Sequence, residues 1–313
     1  MSIAAMEREI KSQPEHLVRF FDWLRKNPVA LSNPSTTAFV GSGDSYAAAV
    51  FARELTKGFA SADDPYELST NLARVRNRSI VLISVSGRTR ANIEVVRRAR
   101  GKAKRIIAVT SDLGSPLARI CDSSVPLQYG KSGNLTSGTA SFTASLLACA
   151  GLLRRLPGRL RLESCFEKAR QWARSVQLST TGLCLFVGSG IDRSLAEYGA
   201  CKVQEVLGTK AFAAYPEQVG HAQLFSLNPN RDTILCIDTY GKGKTRELFK
   251  ELSRSGFNVH RISVEGKDVL PKSIAVSFYL QHLALFNAKK RGMTECAFLR
   301  DKARLELSNR LIY

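Results

Sequence analysis

Short apolar runs alternate with longer stretches of helical periodicity along most of this chain. The runs end in small polar or glycine-rich loops: SIVLI before SVSGRT, RIIAV before TS, TILCI before DTYGKG, with NVHRISV further on. Between them lie segments such as RANIEVVRRAR and KTRELFKELSR, whose apolar residues recur at helical spacing. Strand-length runs with no polar alternation, separated by amphipathic helices, are the signature of parallel sheets covered on both faces. The pattern predicts an α/β protein with doubly wound parallel sheets.

The pattern also occurs twice. FVGSG stands at Phe39–Gly43 and again at Phe186–Gly190, each time after an apolar run and before an alanine-rich helical stretch. A second run, a polar loop and an amphipathic helix follow each copy. Repetition on this scale predicts two similar units, which the 313-residue length accommodates. The boundary is placed in LRRLPGRLRLES, where proline and glycine interrupt helical sequence. The expected organisation is one or two leading helices in 1–27 with a break at Pro14, a first unit in 28–157, a second in 158–292 and a tail in 293–313.

Ligands of such sheets bind at the carboxyl ends of strands, where loops give way to helix N-termini. Around Gly87, the residues Ser84, Ser86 and Thr89 place three hydroxyls and a permissive backbone in one strand-to-helix turn, a suitable anion site. An ordinary serine-capped helix start fits that turn equally well. In the helix after the second FVGSG, Tyr198, Lys202 and Glu205 share one face. A carboxylate beside an ammonium can shuttle a proton; a surface ion pair is the plainer alternative. His221 alone reads as a helix-start or core histidine.

In their order and spacing these residues resemble the sugar isomerase (SIS) family, specifically the isomerase domain of glutamine:fructose-6-phosphate amidotransferase and the stand-alone archaeal glucosamine-6-phosphate deaminases related to it. MEREIKSQP is similar to that family's M-x-x-E-I-x-x-Q-P helix, GSGDSY to its G-x-G-T/S-S-Y loop and SVSGRT to its S-x-S-G-E-T loop. TSGTASFTASL, YGACKVQE and LQHLALFNAKKRG resemble three of its later helices, and Glu205 and His221 keep the interval of its catalytic glutamate and histidine. The resemblance covers nearly the whole chain and implies two flavodoxin-like SIS subdomains. It implies phosphate binding by Ser84, Ser86, Gly87 and Thr89, and a sugar site lined by Gly43, Asp44, Ser45, Ser137 and Thr139. Glu205 would move a proton between C1 and C2, His221 would assist ring opening, and Lys202 would orient the C1 oxygen. Lys302 is the nearest counterpart of a tail lysine that forms an imine with the ketose.

Some positions depart from the family pattern: Val85, Arg88, Asp44 and Ala140 replace a polar residue, a glutamate, a hydroxyl residue and a lysine. Arg88 adds a cation beside the phosphate loop, whereas Asp44 brings negative charge near an anionic ligand unless it bonds sugar hydroxyls. The chain opens Met1, Ser2, Ile3, so the resemblance implies no glutaminase nucleophile and no internal source of ammonia.

The implied activity is interconversion of an aminosugar 6-phosphate and a ketose 6-phosphate. The alternatives are a phosphoglucose or phosphomannose isomerase and a non-catalytic phosphosugar-binding regulator. The implied assembly is a homodimer with composite sites, in which the apolar Val219, Leu224 and Phe225 of the His221 loop meet a partner.

Composition changes this picture little. The formal charge of +19 is spread over several helices without aromatic interleaving, so it reads as a solvated surface that draws anions and not as a nucleic-acid groove. Seven scattered cysteines without a C-x-x-C pair, and four histidines without ligand spacing, predict a reduced chain with no metal. No cofactor is expected. The polar N-terminus and the lack of any run near the length of a membrane span predict a cytoplasmic protein.

Overall fold

The computed structural model describes residues 1–29, 31–241 and 243–313; Ala30, and Lys242 of the second-half basic run, lie outside the described residues. The first half runs α1 (Ser2–Lys26), β1 (Thr37–Val40), α2 (Asp44–Leu55), β2 (Ser61–Asp63), α3 (Pro65–Thr70), β3 (Ser79–Ile83), α4 (Arg90–Ala99), β4 (Arg105–Thr110), α5 (Pro116–Ile120), β5 (Ser123–Pro126) and α6 (Ala140–Leu152). The second half runs α7 (Glu163–Ser175), β6 (Cys184–Val187), α8 (Ile191–Leu207), β7 (Ala211–Ala214), α9 (Pro216–His221), β8 (Thr233–Ile237), α10 (Lys244–Arg254), β9 (Val259–Ile262), α11 (Val269–Lys290), α12 (Ala297–Arg300) and α13 (Lys302–Ile312).

Two parallel sheets result, as the alternation predicts. One has five strands in the order β2-β1-β3-β4-β5 and the other four in the order β7-β6-β8-β9. The strand order reverses at β1 and again at β6, so each sheet has a switch point between the first strand of its half and the next but one. Every pairing is parallel.

Each sheet belongs to a compact unit that is discontinuous in sequence. The five-stranded unit comprises Glu15–Gly130, Ala140–Gly158 and Lys302–Tyr313; the four-stranded unit comprises Met1–Pro14, Lys131–Thr139 and Arg159–Asp301.

In the five-stranded unit the core joins Ala38, Val40, Ile80, Leu82 and Ala108 of the sheet to Val95, Val96 and Ala99 of α4. In the four-stranded unit Leu185, Val187, Ile234 and Cys236 pack with Val219 and Leu252. Among the described residues no cysteine is in a disulfide, and burial pushes the thiols of Cys149, Cys184 and Cys236 up to about 12.

Two elements depart from expectation. Helix α1 does not break at Pro14 but runs through it. Its buried positions Met6, Ile10, Gln13, Leu17, Phe20 and Leu24 form one unbroken helical stripe across the proline. Burial along that stripe offsets the hydrogen bond that proline removes, a local cost of about 3 kcal/mol. Helix α11 is, at 22 residues, long and apolar enough to cross a membrane by length and composition, contrary to the expectation that no such stretch exists. It is a core helix of the four-stranded unit, with 72% of its apolar window buried and α7 and α8 packed on it.

Within that packing, His282 of α11 is buried between aromatic rings, edge-on to Phe166 at 4.9 Å and stacked on Phe286 at 5.6 Å. Neither ring nitrogen has a hydrogen-bond partner among the described residues. Burial, with Arg170 adding to it, pushes the imidazole down to about 4; Glu167 and Glu7 oppose this and Arg174 reinforces it. Because the folded value lies below the unfolded one, the unfolded chain takes up a proton first. Stability is therefore lost as pH falls from about 6.5 toward 4, by about 2 kcal/mol at pH 5. His282→Phe is expected to match the parent within about 1 kcal/mol at pH 7.5 and to exceed it by about 2 kcal/mol at pH 5, read by urea unfolding at each pH. Equal pH dependence in the two proteins would remove His282 as the source.

Candidate functional site

The repeated FVGSG has the same local cause in both units. A Cβ on Gly41 would lie 2.5 Å from the Ser45 backbone, and one on Gly188 would lie 2.4 Å from the Asp192 carbonyl. The first glycine of each motif lets the strand end touch the incoming helix. The second adopts φ near +57° in both copies, Gly43 and Gly190, which turns the chain into α2 and α8.

In the five-stranded unit, the loops after β1 and β3 emerge from paired strands, with Val40 beside Leu82. Gly43, Asp44 and Ser45 open α2 from the first loop; Ser84 to Thr89 open α4 from the second. Gly87 has φ +62°, and a Cβ there would sit 2.1 Å from the Ser115 hydroxyl. Ser86 Oγ accepts from the Arg88 N–H at 3.3 Å. Thr89 is the N-cap residue of α4 yet makes no side-chain capping bond. The helix start is therefore not the ordinary hydroxyl-capped kind, and its first-turn N–H groups keep the donor character that suits an anion. Arg88 does not fold over the loop: its side chain is exposed and pairs with Asp112 at 3.4 Å.

The corresponding loop of the four-stranded unit is already filled. Register aligns Val187 with Cys236, so Asp238 and Gly241 occupy the places of Ser84 and Gly87, and Asp192 that of Ser45. Asp192 accepts from the Thr239 N–H at 2.9 Å and from its hydroxyl at 2.7 Å. Asp238 accepts from the Gly241 N–H and from Arg261. Burial raises the Asp192 carboxyl to about 6 despite those bonds. The second loop is thus filled by the carboxylate of Asp192 where the first has the hydroxyl of Ser45, so the repeat is not chemically symmetric.

Three of the residues singled out in the sequence converge in the four-stranded unit. Lys202 has no exposed surface, and its ammonium donates to Glu205 Oε2 at 2.6 Å and to Ser137 Oγ at 2.7 Å. Ser137 in turn donates to the same Oε2 at 2.8 Å. The ammonium also lies 5.3 Å from the Tyr198 ring centre. Glu205 is 38% exposed, and its Oε1 makes no hydrogen bond among the described residues. Two donors thus clamp one oxygen of the carboxylate and leave the other open.

Other expected residues lie elsewhere or act differently. Thr139 is fully buried and gives its hydroxyl to Glu9 at 3.1 Å. Ser137, 1% exposed, is bonded to Lys202 and Glu205. Both hydroxyls are engaged by side chains that arrive from distant segments. Lys202, expected to orient the C1 oxygen, is engaged in the same way by Ser137.

His221 ends α9, with a 72% exposed side chain 3.4 Å from Glu217, and the contacts of the Lys202–Glu205 pair described above do not include it. Its neighbours Val219 and Leu224, expected to face a partner, join the core of their own unit; Phe225 alone stays exposed. Lys302 is exposed at the start of α13, in the five-stranded unit.

Glu9, not among the residues expected at the site, accepts from the Ser132 N–H and hydroxyl and from Thr139. Gln281, likewise unexpected there, receives a bond from Gln13 and donates to the Thr139 carbonyl. The spacing of Glu9 and Gln13, one helical turn apart, was the available signal. Among the described residues no group of His, Cys, Asp and Glu side chains could hold a metal ion.

Comparison with known proteins bears on these loops. The SIS domain model matches residues 30–154, which include both open loops of the five-stranded unit. Residues 30–154 are an SIS domain. Over 317 aligned residues the chain is 22% identical to a glutamine–fructose-6-phosphate aminotransferase (isomerizing) from Sulfolobus acidocaldarius, covering 91% of this chain and 52% of the relative. The chain spans about half the length of the curated relatives it matches.

Among solved structures, the C-terminal domain of a glucosamine-fructose-6-phosphate aminotransferase from Francisella tularensis is similar with a TM-score of 0.75 at 19% identity, covering 93% and 97% of the two chains. A glucosamine-6-phosphate deaminase from Thermotoga maritima is similar with a TM-score of 0.73 at 15% identity, covering 92% and 95%. At such identities these likenesses establish the fold alone.

Proposed function

We propose that this protein is a phosphosugar enzyme that interconverts an aminosugar 6-phosphate and a ketose 6-phosphate, releasing ammonia in the deaminating direction. The observation that carries the reading is the Glu205 carboxylate, clamped at Oε2 by Lys202 and Ser137 and open at Oε1. Isomerisation between adjacent sugar carbons needs one base that removes a proton from C2 and returns it to C1. Glu205 Oε1 takes that role. With a 2-amino aldose the proton transfer leaves a C2 imine, and water then releases ammonia and the ketose.

The open loop Ser84–Thr89 holds the 6-phosphate through hydroxyls and α4 N–H groups. Gly43, Asp44 and Ser45 contribute to sugar recognition, with Asp44 suited to hydroxyl or amino groups. His221 assists ring opening, and a homodimer that brings it from a neighbouring subunit accounts for its exposure beside Phe225. Lys302 is the tail lysine assigned to the imine. A cytoplasmic setting agrees with cysteines that form no disulfide among the described residues.

The test is incubation with D-glucosamine 6-phosphate, D-fructose 6-phosphate with ammonium, D-glucose 6-phosphate and D-mannose 6-phosphate, following ammonia and ketose together. Ammonia and fructose 6-phosphate in equal amounts from glucosamine 6-phosphate are expected. Ketose from the neutral aldose phosphates without any ammonia would replace this reading with simple isomerisation.

A further inference from the structure

The segment 131–139 is a strap with Ser137 near its end, and it is fastened from three directions within the four-stranded unit. Glu9 of α1 accepts from the Ser132 N–H and hydroxyl at 3.2 and 2.9 Å and from Thr139 at 3.1 Å. Gln281 of α11 donates to the Thr139 carbonyl at 3.2 Å and is itself held by Gln13 at 2.7 Å. Tyr198 of α8 donates to the Gly138 carbonyl at 3.0 Å. These anchors flank Ser137, whose hydroxyl has two partners: it accepts from Lys202 and donates to Glu205. A serine hydroxyl has one proton to give, and here it goes to the carboxylate.

Lys202 alone would leave the carboxylate free to turn. Lys202 and Glu205 are three residues apart on one helix, and a single ammonium contact on a side chain with three rotatable bonds permits several rotamers. The Ser137 bond comes from a different segment and fixes the carboxylate from a second direction. We infer that Ser137 is a positioning residue for Glu205, not a sugar ligand, and that the strap anchored by Glu9, Gln281 and Tyr198 exists to hold its hydroxyl there. The inference rests on Glu205 acting as the base of the proposed reaction. It assigns to Ser137 a role that acts entirely through that carboxylate.

The test compares the parent with Ser137→Ala, Ser137→Thr, Glu205→Gln and the double variant Ser137→Ala/Glu205→Gln, using D-glucosamine 6-phosphate and D-fructose 6-phosphate in deuterated water. Turnover and deuterium incorporation at C1 and C2 are the readouts. Ser137→Ala is expected to lower kcat by about 10- to 100-fold with KM changed less than about twofold, since displacement of a catalytic group by about 1 Å has costs of that order. Ser137→Thr, which keeps the hydroxyl, is expected to recover most of the rate. In the Glu205→Gln background the alanine substitution should add no further loss, because the bond it removes no longer serves the base.

A raised KM with unchanged kcat would make Ser137 a sugar ligand, and multiplying losses in the double variant would separate it from Glu205; either overturns the inference. Full activity of Glu205→Gln would instead remove the base from the proposed function, a distinct result. Should neither substrate turn over, crystal structures of the parent and Ser137→Ala decide. A Glu205 carboxylate in a new or divided orientation supports the positioning role, and an unmoved one overturns it.

Discussion

Glu205→Gln is expected to fold and bind sugar phosphate like the parent while losing at least about a hundredfold in turnover. The substitution keeps the size of the side chain and an oxygen that can still accept from Lys202 and Ser137. It removes the open carboxylate oxygen that would receive the C2 proton. General bases contribute about 10²- to 10⁴-fold. The measurement is steady-state turnover of glucosamine 6-phosphate alongside binding of the same sugar by calorimetry. Turnover within a few-fold of the parent would remove Glu205 from the chemistry.

The second large effect is expected at Gly87. Two independent penalties meet there. Its φ of +62° costs an L-residue roughly 1–2 kcal/mol, and a Cβ would fall 2.5 Å from Ser115 Cβ as well as 2.1 Å from its hydroxyl. Ser115 cannot easily withdraw, because it is fully buried and caps α5 through the Ala118 N–H, while Leu117 N–H bonds the Gly87 carbonyl. Gly87→Ala should therefore destabilise the protein by about 2–4 kcal/mol and weaken binding of a 6-phosphate sugar by at least about tenfold. Gly58→Ala is the control: φ is +82° but no atom lies near the added methyl, so only the conformational cost remains. Denaturant unfolding of both variants compares them, and equal losses would mean that the contact with Ser115 is unimportant.

What could be read from the sequence followed local rules. FVGSG marked both strand-to-helix turns because the same two glycine constraints recur in each unit. The strand-length apolar runs gave the parallel sheets. Lys202 and Glu205 were legible as a pair because three residues along a helix bring side chains together. The rest depended on contacts that no local window contains. Ser137 lies 68 residues from Glu205 and Thr139 lies 130 residues from Glu9, so neither bond could be read from the sequence. Pro14 looked like a break because its cost is local, while the stripe that carries α1 through it extends over both flanks. The unequal loops could be aligned by eye, but that Asp192 turns back onto Thr239 is a matter of tertiary geometry.

The interleaving of the two units has a consequence for anyone wishing to divide the gene. The repeats suggest a cut near Gly158, yet a product ending there would carry Met1–Pro14 and Lys131–Thr139, pieces that belong to the four-stranded unit, with nothing to fold against. The complementary product would contain Lys202 and Glu205 but lack Ser137 and the Glu9 that tethers its strap. It would also carry α13, which belongs to the other unit. Each half is thus a loan of the other's parts. Recovery from separately synthesised halves requires association while both are still folding, and a circular permutation that leaves Met1–Thr139 intact is a gentler rearrangement than any bisection between the repeats.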